Sequence, residues 1–164
     1  MGFTWDDVCD DPQLQDLPYK LELNGDGEII VNAVRVIHAF YVEMIQRHLR
    51  ELRPDGFTPP EFPIQTGDGV RSPDVVWISV ARKKQTLLES TASIAPEICI
   101  EVMSAGNSMK KLLEKRDLYL AAGAIEFWLC DQEGRMRFYT AGGELESSAF
   151  MPGFPRIIDL TTED

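Results

Sequence analysis

Residues 71–80, RSPDVVWISV, and residues 96–108, PEICIEVMSAGNS, decide how this chain is read: each is an apolar, strand-like run carrying a carboxylate, Asp74 in the first and Glu101 in the second. An ionised carboxylate left bare in low dielectric is heavily penalised, so each charge calls for a cation, a hydrogen-bond donor or water beside it. The β-branched and aromatic content of 74–81 and 97–103 predicts two strands able to pair as neighbours. By the two-residue period of a strand, Glu97, Cys99, Glu101 and Met103 share one face. Asp74 stands at the mouth of its strand, immediately after Pro73. Pairing the strands brings two anions together, and a divalent cation such as Mg²⁺, an oxygen-seeking ion that keeps several waters, relieves their repulsion. Metal-assisted hydrolysis of a phosphodiester is one chemistry that such a pair supports.

Upstream, YKLELNGDGEIIV over 19–31 reads as a hairpin, since Asn24, Gly25, Asp26 and Gly27 tolerate the positive φ of a tight turn. Residues 32–52 then place Val34, Ile37, Tyr41, Met44, Ile45, His48 and Leu52 on one stripe at helical spacing, with Asn32 as a candidate cap. Prolines at 54, 59, 60, 63 and 73 mark a loop-rich connector, within which FPIQT at 62–66 can form an edge strand. Downstream of the first acidic strand, RKKQTLLESTASIAP over 82–96 is polar enough to lie on the surface. Residues 107–123 predict a second helix, capped by Asn107 or Ser108 and stopped at Gly123. AIEFWLCD (124–131) and RMRFYT (135–140) flank a turn, and AFMPGFPRIIDL (149–160) is expected to return with its apolar residues inward. The order of elements is mixed α/β, with helices spaced to cover the faces of one sheet and no strict parallel βαβ array.

A chain of 164 residues, 44% of them hydrophobic, fits a single domain over 1–164. No run is long enough to span a bilayer, and MGFTWDDVCDD at the start has neither the basic nor the apolar segment of a signal peptide, so the expectation is a cytoplasmic protein with no membrane partner. The formal charge of -11 argues against loose attraction to nucleic acid, whose affinity comes largely from basic residues meeting phosphates. Cys9, Cys99 and Cys130 are far apart, with only His38 and His48 beside them, and are expected to be buried thiols, not part of a zinc cluster. The two histidines themselves read more readily as packed or capped rings than as ligands or bases. Trp77 and Trp128 read as core residues.

Pro73-Asp74, Glu101-Val102-Met103-Ser104, Lys115 with Tyr119 four residues on, Gly123 and EFWLCD together resemble the Uma-type endonuclease family of the restriction-endonuclease-like, PD-(D/E)XK superfamily. The resemblance runs from TWDDV near the start to PGFPRIIDL near the end. It implies a restriction-endonuclease-like core, a mixed central sheet flanked by helices, presenting Asp74 and Glu101 as ligands to Mg²⁺ or Mn²⁺. The implied partner is nucleic acid, DNA first, with a homodimer left open. The superfamily pattern puts a lysine two residues after the second acid, where this chain has Met103. In the Uma-type branch the lysine comes from the following helix, which points to Lys115. The helical stripe of Met109, Leu112, Leu113, Tyr119 and Leu120 centres on Arg116, which is the fallback. Glu22 matches an acidic residue on the family's first hairpin and adds a third carboxylate, and His38 matches a histidine near the start of its helix.

Each residue also has an ordinary reading. Asp74 alone is a turn-forming aspartate, and Glu101 is a strand carboxylate paired with Lys83, Lys84 or Lys115. The basic run Lys110, Lys111, Lys115, Arg116 is interrupted by Glu114 and reads mostly as a solvated helix face. Three functions follow: a metal-dependent nuclease acting on DNA, hydrolysis of RNA or a small phosphodiester, and a non-catalytic binding or assembly module on a nuclease scaffold.

Overall fold

The computed structural model describes residues 2–17 and 19–161. The two acidic runs form β6 (Val75–Ser79) and β7 (Ile98–Val102), neighbouring antiparallel strands in the register Val75↔Ile100, Val76↔Cys99 and Trp77↔Ile98. β7 is joined through α4 (Met109–Ala121) to β8 (Glu126–Cys130), which lies parallel to it. β9 (Met136–Thr140) and β10 (Gly143–Leu145) extend the sheet antiparallel on one side, and the short β3 (Gly56–Phe57) caps the other. The resulting six-stranded sheet has the order β10-β9-β8-β7-β6-β3.

The hairpin at 19–31 is present as β1 (Lys20–Leu23) and β2 (Ile29–Asn32). It belongs to a second sheet, of order β2-β1-β5-β4, with β4 (Ile64–Thr66) at its edge and β5 (Gly69–Arg71) beside β1. The expectation of one sheet is therefore corrected: the proline-rich connector folds back onto the hairpin. Gly69 permits this, since its φ of +82° lies in the left-handed region and an added Cβ would collide with the Leu23 carbonyl.

The two faces of the larger sheet are covered by different helices. Alternation in β7 sends Ile98, Ile100 and Val102 to one face, against Tyr41, Ile45 and Leu49 of α2 (Val36–Leu52) and the returning Met151, Phe154 and Ile158. Cys99 goes to the other face with Val76, Phe127 and Leu129, under Leu112 and Tyr119 of α4. Trp77 and Trp128 are both core residues. α4 is capped by the Ser108 hydroxyl, which accepts from Lys111 N, and ends before Gly123 at φ +110°.

Several expectations shift. In α2 the buried residues are His38, Tyr41, Ile45, Gln46 and Leu49, whereas Ile37 and Leu52 are exposed and Val34 precedes the helix; the face that meets the sheet keeps Tyr41 and Ile45 but is rotated from the expected stripe. Arg35 holds the cap position without a side-chain bond, and Asn32 ends β2 instead. The stretch after β6 contains α3 (Val80–Thr86), capped by Ser79, and Arg82 Nη1 donates to the carbonyls of Ala95 (2.8 Å) and Gly123 (2.9 Å). A short N-terminal helix, α1 (Trp5–Asp10), is fixed by a Thr4–Asp7 capping box and buries Val8 against Leu23 and Val70. Cys9 lies exposed on it, while Cys99 and Cys130 are buried as expected.

One carboxylate anchors the start of the C-terminal return, whose later part is bridged to the β8–β9 turn at Arg135↔Ile157. Glu126, buried at the start of β8, accepts from Trp128 Nε1 (2.6 Å), Ser148 Oγ (2.7 Å) and the backbone N–H groups of Ala149 and Phe150 (both 2.8 Å). Removing a charged acceptor strands buried donors, so Glu126→Ala is expected to lower unfolding free energy by about 3 kcal/mol or more, and Glu126→Gln by less. Denaturant unfolding midpoints of the two variants check this; an unchanged midpoint for Glu126→Ala would show that the return is held by its apolar packing and by the backbone bonds Met136 N to Arg156 O and Ile158 N to Gly134 O.

Candidate active site

Continuing the β6–β7 register by one position sets Asp74 opposite Glu101, on the face that Val76 and Cys99 share with α4. The smaller sheet brings a third carboxylate to the same place. On β1, Lys20 and Glu22 are two residues apart and point the same way, into the junction between the sheets. From α4, Lys115 and Tyr119 lie one turn apart and reach down onto β7. Lys20, Glu22, Asp74, Glu101 and Lys115 line a cleft of about 550 Å³ whose rim includes Asn32, Val34, Ser104 and Lys111.

Every carboxylate in the cluster has placed partners. Asp74 Oδ1 accepts from Lys20 Nζ at 2.8 Å, and Oδ2 accepts from Val102 N at 2.8 Å. His38 Nε2 lies 3.2 Å from Oδ2; an ionised carboxylate only accepts, so this contact puts a proton on Nε2. Glu22 Oε1 accepts from Lys115 Nζ (2.9 Å) and Asn32 Nδ2 (3.1 Å), and Oε2 from Ser72 N (2.9 Å). Glu101 Oε1 accepts from Tyr119 OH (2.8 Å) and Lys115 Nζ (3.4 Å). Its second oxygen, Oε2, has among the described residues only the Lys20 ammonium, 4.0 Å away and too far for a hydrogen bond.

This uneven compensation sets the electrostatics. Burial alone would raise the Asp74 carboxyl, but the Lys20 charge and the His38 contact outweigh it and hold the group well below the usual carboxylate range. Glu22 is likewise lowered against burial, by Lys115 and Lys20. For Glu101 burial wins: despite Lys115 and Lys20, the carboxyl is pushed up to about 7, with the Asp74 and Glu22 charges adding to the effect. Burial and the Glu101 charge drive the Tyr119 phenol well above its ordinary value, which keeps it a donor. Lys20 is raised, since burial disfavours its charge but Glu101, Asp74 and Glu22 more than restore it.

The donor chemistry suits a divalent cation. Glu101 is only about 3% exposed, its Oε2 has the Lys20 ammonium at 4.0 Å, and Asp74 faces it across the strand pair. Among the described residues no group of three or more His, Cys, Asp and Glu side chains is arranged to hold a metal alone. Two carboxylates, with water and a substrate phosphate completing the shell, is the arrangement Mg²⁺ commonly accepts.

Of the residues expected from sequence, Asp74, Glu101, Glu22 and Lys115 all converge here. Arg116 does not: its Nε bonds Asp117 at 2.9 Å and its guanidinium lies over Tyr139. Met103, at the superfamily's lysine position, packs among the apolar residues under α4. His38, expected as a packed or capped ring, is buried and meets Asp74, and His48 packs edge-on to Phe154. Lys20 and Asn32 were missed as site residues. The alternation of Lys20 with Glu22 on one strand carried the signal for the first; the cross-strand pair Lys20↔Asn32 needed the hairpin register.

No helix among the described residues is long and apolar enough to cross a membrane. No curated protein matches the chain. Among solved structures, the chain is similar to one described as "a putative nuclease belonging to DUF820" from Anabaena variabilis, with a TM-score of 0.65 and 19% identity over 84% of this chain and 79% of that one. At that identity the likeness is one of fold, and it matches the mixed central sheet with flanking helices. Residues 11–160, nearly the whole chain and every residue of the cluster, match the Uma2 family, described as "Putative restriction endonuclease", and the chain belongs to that family.

Proposed function

We propose that the protein is a divalent-metal-dependent nuclease that hydrolyses phosphodiester bonds of nucleic acid, with DNA as the first substrate to test. The observation that supports this most is the convergence of Asp74 and Glu101 from paired strands beside the Lys115 ammonium, at the floor of an open cleft. Asp74 and Glu101 are the metal-holding residues in this reading. Bound there, Mg²⁺ or Mn²⁺ supplies a water of lowered pKa and stabilises charge growing on the phosphate.

The chain's own residues do the rest. Lys115, held between Glu22 and Glu101, positions the attacking water and offsets charge on it. Glu22 fixes that ammonium, and is itself fixed by Asn32 and Ser72 N. Tyr119 orients Glu101, while His38 and Val102 N orient Asp74. The acidic surface implied by a charge of -11 is a poor guide for duplex, so RNA and single-stranded DNA belong in the same assay. A non-catalytic scaffold is the second reading. It is favoured by the lysines already facing each carboxylate, and a lack of Mn²⁺ uptake would support it.

With Mn²⁺ or Mg²⁺ present, the wild type is expected to cleave nucleic acid, chelation to stop cleavage, and Asp74→Ala or Glu101→Gln to reduce the rate by about 10² or more. Lys115→Met is expected to fall by about 10²–10⁴. Equal cleavage by wild type and Asp74→Ala would remove this reading of the site.

The raised Glu101 carboxyl gives a check without nucleic acid. Its folded value of about 7 exceeds the ordinary 4.5, so its contribution to stability is complete below 4.5 and is lost as pH rises through about 7. Between pH 5 and pH 8, the thermal midpoint of the metal-free wild type should therefore fall more steeply than that of Glu101→Gln, which does not titrate. Parallel pH curves for the two proteins would contradict it.

A further inference from the structure

We propose that Lys20 is a built-in counter-cation of the carboxylate pair, and that a divalent metal must displace its ammonium to bind. The inference rests on the metal reading above and assigns a role to a residue that the sequence analysis did not single out. Three observations carry it. Lys20 Nζ is bonded to Asp74 Oδ1 at 2.8 Å and lies 4.0 Å from Glu101 Oε2, so it sits in the electrostatic well that the two carboxylates make. It arrives from the smaller sheet on a four-carbon stem, not from either strand that carries the acids. It also donates to the Ser72 carbonyl at 2.9 Å, so an ammonium leaving the carboxylates keeps an acceptor.

The charges make the competition necessary. Glu22, Asp74 and Glu101 face two ammonium groups: Lys115 pairs with Glu22 and Glu101, and Lys20 pairs with Asp74. A divalent ion drawn to Asp74 and Glu101 meets the positive charge of Lys20 at close range in a partly desolvated site, where like charges repel far more than in water. Moving Lys20 aside removes that repulsion and frees a cation at the cleft wall, where an incoming phosphate can take it as a partner. Metal and phosphate binding are thereby coupled through one side chain.

The test is calorimetric titration with Mn²⁺, at fixed pH and salt, of the wild type, Lys20→Met and Lys111→Met. Lys111 lines the same cleft without contacting the carboxylates, and so controls for a general change in field. The expected result is binding tighter by about tenfold or more for Lys20→Met, with Lys111→Met close to wild type. If the wild type binds Mn²⁺ and Lys20→Met binds no more tightly, or both lysine variants tighten equally, the inference fails while the metal reading stands. If no protein takes up Mn²⁺, both fall. A measurement on the unaltered chain guards against a misfolded variant: amine labelling read by mass spectrometry should modify Lys20 faster when Mn²⁺ is bound. An unchanged labelling rate with Mn²⁺ bound would also overturn the inference.

Discussion

The pairing register of β6 with β7 is the constraint on which the site depends. A strand slip of one residue exchanges the two faces of a sheet, so a shift of Val75 away from Ile100 would turn one carboxylate toward α2 and leave the other under α4. The register is held by what lies on the two faces. Ile98, Ile100, Val75 and Trp77 are matched to α2 and the C-terminal return, and Val76 and Cys99 to α4. Asp74 adds its own lock by accepting from Val102 N on the neighbouring strand. The acids meet because the apolar residues between them have one good arrangement.

Around that pair the molecule balances charge with residues drawn from distant parts of the chain. Lys20 comes from the hairpin, His38 from the first turn of α2, and Lys115 and Tyr119 from the crossover helix between the parallel strands. Asp74, with three partners, is held firmly ionised, while Glu101, more deeply enclosed and less fully bonded, is not. Two carboxylates facing one another thus differ in character because their surroundings differ. Such a split is a common mark of sites that handle protons or cations, although ordinary ion-pair networks also produce it.

Much of this was legible in the residues and some was not. The two acidic strands, the hairpin, the capped helix ending at Gly123 and the inward C-terminal return follow from alternation, turn residues and caps, all of them local. The choice of Lys115 over Arg116 came from the family pattern, since the helical stripe alone centred on Arg116. What escaped was non-local or weakly periodic. α1 and α3 are short and polar, with caps as their main signal. The second sheet required knowing that Gly69 lets β5 turn back beside β1. The face that α2 turns to the sheet, and with it the role of His38, is chosen by packing against distant elements and not by the helix's own periodicity.

The junction between β5 and β6 is only three residues long, Ser72, Pro73 and Asp74, and it links the two sheets. Both backbone polar groups of Ser72 are claimed by the hairpin, its N–H by Glu22 and its carbonyl by Lys20, and proline holds φ at the next position. The walls of the cleft are therefore set in place by a stiff, doubly pinned corner before any guest arrives. A ligand entering there has little backbone left to organise, so more of its interaction energy remains as affinity.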